Sequence, residues 1–163
     1  MTSSAVTGCS RACLALVAGL AMCGCAGRIE PTGSTGQVET LRPCPVRPNC
    51  VSSDATDGVH QIAPLVIIGD TKAGWSALIA YLESNSTFTI KVRRERYLHV
   101  AARTRLLGFV DDVEFLLVPA KQAIAVRSAS RLGFSDLGAN RRRIEAIRSA
   151  LRGGKSQTGE PQN

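Results

Sequence analysis

Between Val126 and Arg148 the chain reads VRSASRLGFSDLGANRRRIEAIR, six arginines set among Ser128, Ser130, Ser135, Asp136 and Asn140. Two kinds of chemistry suit such a set. Arg131, Arg141 and the free N–H groups of a helix start could converge on a phosphate or carboxylate. Alternatively, Ser128, Ser130 and the start of the last helix, with Arg131 or Arg141 as the charge partner, could satisfy a buried acid, tying a sheet to its last helix as a polar latch. Asp111 bears on the choice. It alternates with Phe109, Val113 and Phe115 on an apolar face, so it needs donors there. Asp111 and Asp136 already answer positive charge, which favours the latch over the anion site.

Nucleophilic catalysis finds little material. Ser128 or Ser130 with His99 and Asp111 could be drawn as a triad, but His99 falls on the opposite strand face from both serines. No glycine elbow surrounds either serine. No catalytic residue is therefore assigned. Asp112 and Glu114 of the DDVE run share the other face and are expected to take the cross-strand partners Arg103 and Arg127.

These residues need elements to hold them. Residues 70–84, DTKAGWSALIAYLES, begin with the N-cap candidate Asp70 and carry Trp75, Leu78, Ile79 and Leu82 at i, i+3, i+4 and i+7, a helix with one apolar face. Four stretches with period-two alternation follow: TFTIKVRR, YLHVAARTR, FVDDVEFLLV and AIAVRSASR. Short connections predict an antiparallel meander. A turn at Leu107–Gly108 would set Val100 opposite Phe115, Ala102 opposite Val113 and Arg103 opposite Asp112. A turn at Ala120–Lys121 would set Phe115 opposite Val126, Leu117 opposite Ile124 and Glu114 opposite Arg127. In that register Thr104, Asp111, Ser128 and Ser130 share the helix-covered face. A last helix starts near Asp136 or Gly138, with Leu137, Ile144, Ile147 and Leu151 on one side and Arg142, Arg143 and Arg152 toward water. The expected fold is an α+β two-layer sandwich, a four-stranded antiparallel meander covered on one face by two helices.

The ends of the chain read differently. Arg11 precedes an apolar run from Ala12 to Met22, long enough for a secretory segment and well short of the ~20 residues of a spanning helix. The run closes on LAMCGCAG, which resembles the lipobox of bacterial lipoproteins. Cys25, preceded by Gly24, is the favoured acylation site. Cys23 keeps the better aliphatic residue three positions back, Leu20, and stands as the alternative. The expected organisation is a signal peptide (1–24), a flexible Gly/Thr/Ser-rich tether (25–40), one α+β domain (41–152) and a disordered tail (153–163). No acid stands just after Cys25, so the expected address is the outer membrane, facing the periplasm. In that oxidising compartment Cys44 and Cys50, across a proline-stiffened loop, are expected to form a disulfide. A metal site using them with His60 or His99 lacks a fourth ligand and paired spacing, and C-x5-C is not a redox spacing. No metal or cofactor is expected.

The net charge is +7 over 163 residues, which points to polyanionic partners. Nucleic acid is disfavoured by the compartment and by an aromatic content of 4%, which leaves no stacking platform. CPVRPNCVSS, YLHVAARTRLLGFVDDVEF and the 126–148 stretch, in that order, resemble the bacterial family catalogued as domain of unknown function 1499. The resemblance spans about residues 41–151. It implies a small envelope-associated domain, often with a lipoprotein signal or membrane anchor, and it transfers no catalytic residue. The resulting expectation is a lipid-anchored periplasmic module that binds an anionic envelope ligand or an envelope protein, through a basic outer surface or the sheet-end cluster. The alternatives are a hydrolase using Ser128 or Ser130 with Asp111, and a structural partner of another envelope protein. An enzyme needs an open pocket reaching Asp111, a latch leaves it sealed, and a partner surface needs an exposed apolar patch.

Overall fold

The computed structural model describes residues 40–104 and 108–153. The expected signal peptide, Cys23 and Cys25, the tether up to residue 39 and the tail from residue 154 lie outside the described residues. The elements are β1 (Cys50–Ser52), β2 (Leu65–Val66), α1 (Thr71–Ser84), β3 (Phe88–Arg93), β4 (Tyr97–Arg103), β5 (Val110–Val118), β6 (Ala123–Ser130) and α2 (Ala139–Gly153). The protein is α+β, with one antiparallel sheet of six strands and two helices.

Four of those strands are the alternating stretches, in the order β6-β5-β4-β3. The other two both pair with the free edge of β6. β1 sets Cys50 opposite Ala129, and β2 sets Leu65 opposite Ile124. The four-stranded expectation is thus two strands short. At three and two residues, β1 and β2 carry no readable alternation, and their pairing to β6 is what makes them strands.

α1 starts where its cap says. The Asp70 carboxylate accepts the Ala73 N–H at 2.7 Å, and Trp75, Leu78, Ile79 and Leu82 are its buried side. At Gly74 the helix comes so close to the segment after β2 that a Cβ would sit 2.6 Å from Ile67 Cγ2, so any larger residue would push the two apart. The core is closed by Leu98, Val100, Val113, Phe115, Ile124 and Val126 of the sheet and by Ile144 and Ile147 of α2. Its buried members all lie between Val51 and Ile147, so the described unit holds a complete core of its own.

The β5–β6 register is Phe115↔Val126, Leu117↔Ile124 and Glu114↔Arg127, as the short turn after Val118 requires. The β4–β5 register differs from the expected one by two residues. Val100 faces Val113, Ala102 faces Asp111 and Arg103 faces Val110. The cause is the connection. Thr104 and Phe109 close it with Thr104 N–H to Phe109 O (2.8 Å) and Phe109 N–H to Thr104 Oγ1 (2.9 Å), so the loop is longer than a two-residue turn. A shift of two keeps each side chain on its expected face and changes only its partner.

Two further expectations are corrected. Leu137 does not join the buried side of α2; it precedes the helix with φ 51° and is exposed. The outer face is not an open basic surface, because Tyr97, His99, Asp112, Glu114 and Arg127 on it are all buried. The segment through Leu41 and Arg42 reaches that face, where the Arg42 N–H meets Glu114 Oε2 at 3.3 Å.

Candidate functional site at the sheet end

Asp111 is buried on the helix-covered face of β5, opposite Ser130 of β6. Its partner is Arg143, whose Nη2 lies 2.5 Å from Asp111 Oδ2, while Nη1 reaches Ser128 Oγ (2.9 Å) and Asn140 Oδ1 (2.6 Å). Arg143 was expected in water. Its side chain is 11% exposed instead, because Asn140, Arg143, Ile144 and Ile147 form one stripe at i, i+3, i+4 and i+7. Arg131 and Arg141, the expected partners of Asp111, go elsewhere. Arg131 turns to the outer face and grips Asp112 through Nε (2.9 Å) and Nη2 (2.8 Å). Arg141 donates to the carbonyls of Val59 and Gln61.

Asn140 is the centre of the inner network. Fully buried, it accepts from Ser128 Oγ (2.6 Å). Its Nδ2 lies within hydrogen-bond distance of Asn49 O (3.0 Å), Ser130 Oγ (2.9 Å) and Asp136 Oδ2 (2.7 Å). Asp136 in turn receives the N–H groups of Gly138 and Asn140 at the start of α2. Burial opposes the charge on Asp136, but those donors outweigh it and hold its carboxyl below the usual range. Ser135 Oγ accepts only the Leu137 N–H and is exposed. Asn49, not singled out in the sequence, adds a second tie through Nδ2 to Gly133 O at 2.8 Å. The Cys44–Cys50 disulfide is formed and closes the loop that carries Asn49.

The outer face holds a second polar cluster. His99 Nε2 lies 2.8 Å from Asp112 Oδ1 on the neighbouring strand. Burial works against the Asp112 carboxylate, yet the contacts from His99 and Arg131 hold its pKa down to about 2. Glu114 and Arg127, opposite each other, stand 3.9 Å apart at their nearest charged atoms. Burial lowers the pKa of Arg127, and its Nε has no hydrogen-bond partner. Arg103, expected to pair with Asp112, instead donates to the Gly108 carbonyl at 3.2 Å. His99 is therefore on the far side of the sheet from Ser128 and Ser130, and no serine–histidine pair is assembled. His60 bridges Asp57 and the Arg47 carbonyl, and no cluster of three metal-ligating side chains occurs among the described residues.

A pocket of about 310 Å³ opens beside the inner network. Asp111, Ser130 and Asp136 form part of its wall, and Phe109, Leu132 and Leu137 form its apolar rim. The rim had a sequence signal, since Leu-Gly-Phe occurs twice, at 107–109 and 132–134; Phe109, expected on the apolar face with Asp111, is half exposed. No curated protein and no solved structure matches the chain. The family model described as "Protein of unknown function (DUF1499)" matches residues 40–151, the whole folded unit from before the disulfide loop almost to the end of α2, and the chain belongs to that family.

Proposed function

We propose that the protein is a lipid-anchored, non-catalytic binding or organising module of the cell envelope, acylated at Cys25, with Cys23 as the alternative, and facing the periplasm. The observation that carries the binding role is the sheet-end pocket. Its polar wall is spent internally, since Asp111 is paired with Arg143, and Asp136 and Ser130 with Asn140. Its rim nevertheless presents large apolar side chains to solvent. The polar residues of the 126–148 stretch thus act as the latch, and the apolar rim beside them is the part free to meet something else. An anion site is the weaker reading, because Arg131, Arg141 and Arg143 each already hold an oxygen of this chain. A hydrolase is favoured by the pocket reaching Asp111 and Ser130, but it is weaker still, because the buried Asp111 is held by Arg143, Ser130 Oγ by Asn140, and Ser128 Oγ lies between Asn140 and Arg143.

The anchor is tested by growth with an alkyne-tagged fatty acid in a bacterial host that processes lipoproteins. The native protein should take up label, Cys25→Ser should lose it and Cys23→Ser should keep it. An unlabelled native protein would overturn the anchor, and label lost only in Cys23→Ser would move it by two residues.

A further inference from the structure

We propose that the pocket end of the domain is a membrane-docking tip whose apolar rim enters the interfacial layer of an anionic lipid bilayer. The proposal deepens the reading above, in which an N-terminal anchor holds the domain at a membrane. Phe109, Leu132 and Leu137 line the pocket, Phe134 follows Leu132 by two residues, and the four are between 51% and 84% exposed. Each stands next to a glycine with φ between 67° and 87°: Gly108, Gly133 or Gly138. All four side chains thus stand in segments outside the helices and strands, beside glycines whose backbone other residues rarely adopt.

Two cations stand among them. Arg103 Nη1 is held by the carbonyl of Gly108, beside Phe109, and Arg142 Nη1 by the carbonyl of Leu137 at 2.8 Å. Both arginines are exposed, and neither pairs with a carboxylate among the described residues. Of the nearby carboxylates, Asp111 is neutralised by Arg143 and Asp112 by Arg131; Asp136, held by uncharged N–H donors, keeps its charge and offsets one of the two, which leaves one positive charge in excess. The tip thus combines exposed apolar side chains with unspent positive charge, on a chain whose net charge is +7. A bilayer takes up apolar groups without demanding a matching contour, and anionic headgroups attract the arginines beside them. A protein interface would instead need a broad complementary surface, roughly 800 Å² on each partner.

The test uses unacylated chain from residue 26 onward, which keeps the whole described core, in flotation with phosphatidylglycerol vesicles and with phosphatidylcholine vesicles. The native chain should float with the anionic vesicles and less with the neutral ones. Phe109→Ser combined with Phe134→Ser should lower partitioning by about tenfold or more. Arg103→Gln combined with Arg142→Gln should lower it by about tenfold on anionic vesicles alone. These side chains are exposed, so both double variants should keep the native circular dichroism and melting temperature. The proposal is overturned if the native chain stays off anionic vesicles, or if both variants bind as it does. A self-association seen by sedimentation that the phenylalanine variant abolishes, without vesicle binding, would also overturn it and make the tip a protein interface. Because this protein carries no acyl group, failure here leaves the fatty-acid labelling result untouched, and failure of the labelling leaves this result untouched.

Discussion

Asp111 and Asp112 are neighbours in the chain and both are buried, yet they are solved by different means. Strand alternation sends Asp111 to the helix side and Asp112 to the other. Asp111 meets an arginine carried on α2, and that guanidinium, 11% exposed, also binds Ser128 and Asn140. Asp112 meets an arginine from the loop after β6, 42% exposed, and shares itself with His99. The first arrangement joins three elements and has no substitute for its cation. The second keeps a neighbour on hand if its arginine leaves. Two acids with similar burial should therefore differ in how much of the fold depends on each.

The comparison breaks most sharply at Arg143. Arg143→Ala leaves Asp111 buried beside two hydroxyls and an amide, which should cost about 3–5 kcal/mol in urea unfolding. Arg143→Lys should recover only a fraction of that, since one ammonium cannot span Asp111, Ser128 and Asn140 together. A loss below about 1 kcal/mol for Arg143→Ala would mean that the network does not join the helix to the sheet.

Asn140→Ala sharpens the same side. It strips partners from Ser128, Ser130, Asp136 and the Asn49 carbonyl, and should cost about 2–3 kcal/mol, with no effect on the titration of Asp112. A combined Arg143→Ala/Asn140→Ala variant should lose less than the sum of the two, because they share contacts.

The outer side should give the smallest response. Arg131→Ala should cost about 1 kcal/mol at neutral pH, because its side chain is substantially solvated and His99 remains. Its clearer signature lies in acid. A carboxyl held at about 2 in the folded protein stabilises it fully above the unfolded value of 3.8, and that stability is lost as pH falls from there through about 2. In Arg131→Ala the folded value should move up toward 3.8, so the loss should be smaller and end at higher pH, seen as a shallower acid limb in melting temperature against pH. An unchanged acid limb would mean that Arg131 is not what holds this carboxyl down.

Much of this frame could be read in the sequence, and the failures have definite causes. α1 was legible because a cap and a four-residue apolar stripe agreed. The β5–β6 register was legible because Pro119 limits the turn. The β4–β5 pairing slipped by two because nothing in RTRLLGF marks where the ladder ends, and the face of every residue survived because two is the period of a strand. Arg143 was placed in water because charge outweighed position. Carrying the stripe of Ile144 and Ile147 back one turn lands on Asn140 and Arg143, and that was the available signal. The exposed rim was missed because period two puts Phe109 on the apolar face with Asp111, whereas it is half exposed at the end of the ladder, and Leu132 lies in no periodic stretch.

The disulfide has a mechanical consequence. Tension arriving along the chain from the N-terminal side passes at Cys44 straight into Cys50, the first residue of β1. Residues 45–49 are short-circuited and carry none of it. The pull is then borne by the rungs between β1 and β6. In the reduced protein the same force would run through the slack loop to Asn49, whose carbonyl is hydrogen-bonded to Asn140 and to the Ser130 N–H. The thiol state thus decides whether a pull on the chain ahead of Cys44 spares the junction between sheet and helix or strains it first.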